Sequence, residues 1–195
     1  MRALRGQHGS VTDAEKILVP LAEGFEEIEL TTIVDVLRRA ELDVTVASLA
    51  PGRVRGSHGI VIEPDVSLAD VDTGTFTMIV LAGGQPGTRN LAADERLIEL
   101  VRRLVRENRL VAAICAAPLV LHRAGVLHGI EVTAHPSVQA QLDGAVVRTE
   151  PRVVTSGSIV TSQGAGTAME FALSIVAMLK GRALADRLGL AMRVQ

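Results

Sequence analysis

The chain has no tryptophan and no tyrosine, only three phenylalanines, and a single cysteine in 195 residues. Without aromatic platforms it lacks the stacking surfaces that hold single-stranded nucleic acid. Twenty Lys and Arg against 22 Asp and Glu leave a net charge of −2, so no basic field is present to draw phosphates. No nucleic-acid partner is expected. One thiol cannot close an internal disulfide, which points to a reducing, cytoplasmic setting. No apolar run approaches the roughly 20 residues that cross a bilayer. The longest, Val111 to Leu121, is interrupted by Pro118. Five histidines (His8, His58, His122, His128, His135) show no ligand-like spacing, and a structural zinc site would need more thiols. Neither a membrane nor a metal is expected.

What is present is an ordinary globular composition, 48% hydrophobic and 22% charged, of a length that suits one domain with a sizeable core. Residues 1–15 are polar and lack an apolar signal core, and are read as a flexible N-terminal extension; residues 16–195 are read as one domain. Apolar runs of strand type (Lys16 to Leu21, Asp43 to Leu49, Phe76 to Ala82, Leu110 to Ile114) alternate with helical periodicity over Glu26 to Ala40, Asp94 to Glu107 and Thr167 to Lys180. Gly59 to Ile62 and several pieces between Glu131 and Thr161 read as shorter strands, and Arg182 to Leu190 as a last short helix. Thr167 and Glu170 have the spacing of a capping box, and Gly181 closes that helix. Strands alternating with amphipathic helices predict an α/β fold with a mostly parallel sheet and helices on both faces. Sites in such folds gather at the carboxyl ends of strands.

Three features fall there. Cys115 sits where the run Leu110-Val111-Ala112-Ala113-Ile114 gives way to Ala116-Ala117-Pro118, a strand-to-helix junction. Free backbone N–H groups and the helix dipole there favour a thiolate. Gly83-Gly84 closes a buried strand, and its N–H groups could hold an oxyanion. Glu29 follows the first strand; four residues before Ile33 and eight before Leu37, it lies on the inward stripe of its helix. Burial raises the pKa of such an acid, so it could donate a hydrogen bond to a thiolate and shuttle a proton. Glu26 and Glu27 are expected to be solvated and to complement the dipole. His135, before Pro136, could pair with the cysteine.

Five segments occur in order: Ala22-Glu23-Gly24-Phe25-Glu26-Glu27-Ile28-Glu29, Leu81-Ala82-Gly83-Gly84, Ala112-Ala113-Ile114-Cys115-Ala116-Ala117-Pro118, Val132-Thr133-Ala134-His135-Pro136, and Thr161-Ser162-Gln163-Gly164-Ala165-Gly166-Thr167 with Glu170-Phe171-Ala172-Leu173. Together they resemble the ThiJ/PfpI superfamily, in the branch of the parkinsonism-associated protein deglycase and its bacterial relatives. The resemblance implies a flavodoxin-like three-layer sandwich, a homodimer, and a nucleophile elbow carrying Cys115. It makes Glu29 the partner acid and His135 the nearby histidine. Gly83 or Gly84 becomes the glycine whose N–H faces the sulfur, with Ala116 counted among the oxyanion- and substrate-binding groups. The implied activity is cofactor-independent conversion of methylglyoxal or glyoxal to a hydroxy acid, or deglycase-type repair. No cofactor is needed, because one substrate carbon is oxidised while its neighbour is reduced. Redox sensing through oxidation of Cys115 and chaperone action are the other implied roles.

Departures from the family pattern bear on specificity. Ala116 stands where the peptidase branch places a histidine, which argues against peptidase or amidase chemistry. His58 stands in place of an arginine, and Gln163 and Ala165 replace an arginine and a proline. Fewer fixed positive charges near the pocket weaken anion binding.

Overall fold

The computed structural model describes residues 15–194; apart from Glu15, the expected extension lies outside them. In chain order the elements are β1 (Lys16–Leu21), α1 (Glu27–Arg39), β2 (Asp43–Ser48), β3 (Val54–Arg55), β4 (Val61–Ile62), β5 (Val66–Ser67) and β6 (Met78–Leu81). Then come α2 (Gly87–Ala93), α3 (Glu95–Arg106), β7 (Val111–Ile114), α4 (Pro118–Arg123), β8 (Glu131–Val132) and α5 (Pro136–Gln139). The chain closes with β9 (Val146–Val147), β10 (Val153–Ser156), β11 (Ile159–Ser162), α6 (Ala168–Lys180) and α7 (Arg182–Ala191).

Seven strands form one sheet in the order β10-β11-β7-β6-β1-β2-β5. All neighbours are parallel except β10, which pairs antiparallel with β11 at the edge. Leaving out the edge strands β5 and β10, the order is that of flavodoxin, with its switch point between β1 and β6. The central strands are buried on both faces and so read as continuous apolar runs rather than alternating ones. On one face α1 and α6 pack through Leu30, Ile33, Leu37, Phe171 and Ile175, with α7 behind them. On the other, α3 and α4 pack through Leu97, Val101, Leu104, Val120 and Leu121. All three phenylalanines, Phe25, Phe76 and Phe171, are buried, and branched aliphatic side chains with alanines and Met78 fill the rest of both cores.

Local chemistry sets the helix starts. Glu26 is the N-cap of α1 and accepts the N–H of Glu29 at 2.6 Å. Asp94 caps α3 in the same way through Arg96. The capping box expected at α6 does not form. The Thr167 hydroxyl turns back to Gly164 and to Ser162, the latter at 2.6 Å, while Glu170 pairs with Arg152. Two nearby polar groups outcompete the helix end for that hydroxyl. The short helix α2, carrying buried Thr88 and Leu91, follows the Gly83-Gly84 turn, where no helix was expected.

Candidate active site

β1, β6 and β7 end side by side, and the segments after them supply the site. At the end of β7, Cys115 adopts φ +64, the left-handed region that costs an L-residue about 1–2 kcal/mol. Bonds on both sides hold it there. Its N–H donates to Ser162 O at 3.0 Å across the sheet, and its carbonyl accepts the N–H of His135 at 2.9 Å. This bend turns the sulfur out of the strand toward α1. Glu29, fully buried in the first turn of α1, approaches from the other side.

The Gly83 N–H donates to Glu29 Oε2 at 2.8 Å. The other carboxylate oxygen, Oε1, is buried without a hydrogen-bond partner, and the Cys115 thiol lies close enough to the side chain to favour its ionised form. The sulfur in turn receives the N–H groups of Ala116 and Gly84. The two glycines thus divide their work: Gly84 faces the sulfur and Gly83 faces the carboxylate. Gly83 tolerates no side chain, since a Cβ there would stand 2.8 Å from the Cys115 Cβ and 2.9 Å from Glu29 Oε2.

Burial pushes the Glu29 carboxyl up to about 7, against the opposing pull of the Gly83 N–H and the thiol. Burial also pushes the Cys115 thiol up to about 12, reinforced by the Glu29 charge beside it. The Ala116 and Gly84 N–H groups pull the other way but do not prevail. Desolvation and a neighbouring carboxylate thus oppose the backbone donors that the helix start offers the sulfur. The two groups titrate as a unit, losing one proton near 7 and holding the second to about 12.

His135 caps α5, and its Nδ1 is 2.8 Å from the Ser137 hydroxyl, which fixes the ring. The ring makes no hydrogen bond to Cys115 among the described residues, so the direct pairing expected from sequence is absent. The two side chains instead flank Gly164. A Cβ on Gly164 would lie 3.5 Å from His135 Cδ2 and 4.0 Å from Cys115 Sγ.

Glu27 overturns its expected solvation. Its side chain is 4% exposed, because the β3–β4 hairpin folds back over the start of α1. Its Oε1 accepts the His58 N–H at 2.6 Å, and its Oε2 takes the Ser57 hydroxyl at 3.2 Å and His58 Nδ1 at 3.0 Å. Burial opposes its ionisation, but His58 and the backbone donors outweigh it and hold the carboxyl at about 2. His58 is itself pushed up, chiefly by its hydrogen bond to Glu27. Glu26, Glu27 and His58 have donor atoms within 4.8 Å of one another, the one such group among the described residues. Their carboxylates are already engaged by backbone and hydroxyl donors, so the cluster has little to offer a metal.

A carboxyl at about 2 in the fold against an ordinary 4.5 means the unfolded chain binds more protons between those values. Glu27 therefore stabilises the fold above pH 4.5, and that contribution fades as pH falls through about 2. His58 has the opposite sign: its contribution is complete below 6.5 and is lost as pH rises through its higher folded value. Glu27→Ala leaves the His58 and Ile60 N–H groups without their acceptor, and a loss of about 2–4 kcal/mol is expected. Glu27→Gln should flatten the stability profile between pH 4.5 and 2, as urea unfolding across that range will show.

A strained cysteine at a strand-to-helix turn, facing a buried acid at the switch point of a flavodoxin-like sheet, defines a class of α/β proteins built around one cysteine at a nucleophile-elbow turn. The DJ-1/PfpI family model matches residues 15–178, and the chain belongs to that family. It is 41% identical over 169 residues to the glutathione-independent glyoxalase DJR-1.2 of Caenorhabditis elegans, covering 85% of this chain and 88% of that one. It is 40% identical over 182 residues to protein DJ-1 homolog A of Arabidopsis thaliana, covering 92% of this chain but 46% of that protein. The chain thus spans about half the length of that relative. The crystal structure of Drosophila melanogaster DJ-1beta superposes with a TM-score of 0.90 at 38% identity, covering 94% of this chain and all of that one. Among the described residues, no helix is long and apolar enough to cross a membrane.

Proposed function

We propose that the protein is a cofactor-independent glyoxalase or deglycase-like enzyme that converts small 2-oxoaldehydes to hydroxy acids. The observation that carries this reading is the fully buried Glu29 carboxyl set beside the Cys115 sulfur at the end of β7. A thiol need not be acidic if its proton has a neighbouring acceptor at the moment of attack. As sulfur bonds to the aldehyde carbon, its proton passes to Glu29 and then to the carbonyl oxygen, giving a hemithioacetal. Glu29 next takes the proton from that carbon and returns it to the adjacent one, while the hemithioacetal hydroxyl gives its proton to the neighbouring oxygen, leaving a thioester of the hydroxy acid. Water releases the acid and restores the thiol. The N–H groups of Gly84 and Ala116 steady the developing oxyanion, and Gly83 keeps the carboxyl aimed. His135, its ring fixed by Ser137, orients the water. The glyoxalase relative at 41% identity supports the substrate class.

Lactate formation from methylglyoxal by the purified protein tests the reading. Turnover should rise as pH increases through about 7 and should vanish in Cys115→Ser. An inert protein whose Cys115 is readily oxidised by peroxide would favour the redox-sensing role instead. A cytoplasmic setting belongs to the same proposal, because an unpaired thiol persists where it is kept reduced. So does a homodimer: Ile28 and Ile60 are each 58% exposed and Val61 43%, an apolar patch between α1 and the β3–β4 hairpin. Sedimentation should give twice the chain mass, and Ile60→Lys should shift it toward one.

A further inference from the structure

We propose that Gly164 sets the size of the aldehyde this site accepts, by leaving open the space between the Cys115 sulfur and the His135 ring. The inference rests on the glyoxalase reading and extends it from substrate class to substrate size.

Gly164 lies two residues past the end of β11, whose last pair with β7 is Ser162 with Ile114, and this brings it beside the Cys115 side chain. Its φ of 164 is extended backbone that any residue adopts, so no turn requires glycine there. Its N–H and carbonyl are already used by Thr167, and a side chain would disturb neither bond. Nor would a methyl collide with protein: at 3.5 Å from His135 Cδ2 and 4.0 Å from Cys115 Sγ it would make ordinary contact with both. Such a methyl would therefore occupy volume that is open to a bound molecule rather than filled by the fold. Any carbon joined to the sulfur carries its substituents into the surroundings of that atom. Glyoxal presents a hydrogen on its second carbonyl carbon, methylglyoxal a methyl and phenylglyoxal a ring. Larger groups compete with a Cβ at position 164; the hydrogen of glyoxal does not. Gly166, two residues on, is the internal control, since a Cβ there meets nothing within 4 Å.

Gly164→Ala is expected to keep kcat/KM for glyoxal within about threefold, to lower it for methylglyoxal by about tenfold, and to lower it further for phenylglyoxal. Gly166→Ala should leave all three unchanged. A second readout does not depend on turnover. Alkylation of Cys115 by iodoacetamide and by a bulky N-aryl maleimide is measured on each variant, and the ratio of the two rates is compared. The ratio cancels any change in thiol ionisation, because both reagents consume the same thiolate. In Gly164→Ala the bulky reagent should slow at least about tenfold more than the small one. Equal slowing of both reagents, or of all three aldehydes, would overturn the inference. A protein without turnover that still shows the changed alkylation ratio would overturn the glyoxalase reading and leave the role of Gly164 standing.

Discussion

Glu29→Gln should lower turnover of methylglyoxal by about 100- to 10,000-fold, the range over which a positioned acid–base group contributes. The variant should fold normally. Glutamine has nearly the same volume, its carbonyl can still accept the Gly83 N–H, and its amide can face the sulfur in place of the protonated acid. What it cannot do is receive a proton. Burial is the largest cause of the raised thiol, followed by the Glu29 charge and hydrogen bond. Removing the last two brings the thiol down part of the way. Alkylation of Cys115 at neutral pH should therefore be maintained or faster while turnover collapses. That split separates a proton carrier from a structural support. If both rates fell together with a loss of thermal stability, Glu29 would be holding the site in shape and nothing more.

Gly84→Ala is expected to be the most damaging single methyl in the site. The residue has φ +94, which an L side chain rarely adopts. An added Cβ would also lie 2.5 Å from the Phe25 carbonyl carbon and 2.6 Å from Gly24 O. These are backbone atoms of the turn leading into α1, so no rotamer change relieves the clash. Strain and displacement together should cost about 3 kcal/mol or more, read as a lowered urea midpoint. The turn that would have to move carries both Glu26 and the start of the Glu29 helix, and the Gly84 N–H would leave the sulfur. Activity should be lost in whatever fraction still folds. An alanine variant with unchanged midpoint and turnover would show that this turn has slack the distances do not allow.

Much of the site was legible because its parts are written locally. The four- and eight-residue spacing of Glu29 before Ile33 and Leu37 announces an inward acid, and it is fully buried. Cys115 stands at the change from an apolar run to a Pro-bearing helix start, and that change marks the end of β7. The glycine pair marks a turn, but which N–H meets sulfur and which meets carboxylate depends on backbone direction through that turn. Spacing does not encode it. Glu27 departs from its expected solvation for a related reason. Nothing around it signals that a hairpin some thirty residues later, His58 and Ile60, will cover it. One local hint existed: Glu27 lies three residues before buried Leu30, on the flank of the same stripe. For the thiol, the helix dipole is visible in sequence, whereas the depth of burial and the charge of Glu29 arrive only with packing. Helix α2 leaves no signal in the sequence, because seven residues opening on Pro86-Gly87 are too few to show a period.

The most direct measurement is the rate of Cys115 alkylation by iodoacetamide across the pH range, on the unaltered protein and on Glu29→Gln. Two groups with one proton between them should give a first rise through about 7 and a second only toward about 12. Glu29→Gln should erase the first step and leave a single rise below the second. One rise at the ordinary thiol value of about 8.5 in both proteins would mean that sulfur and carboxyl ionise independently, and the proposed chemistry would lose its basis.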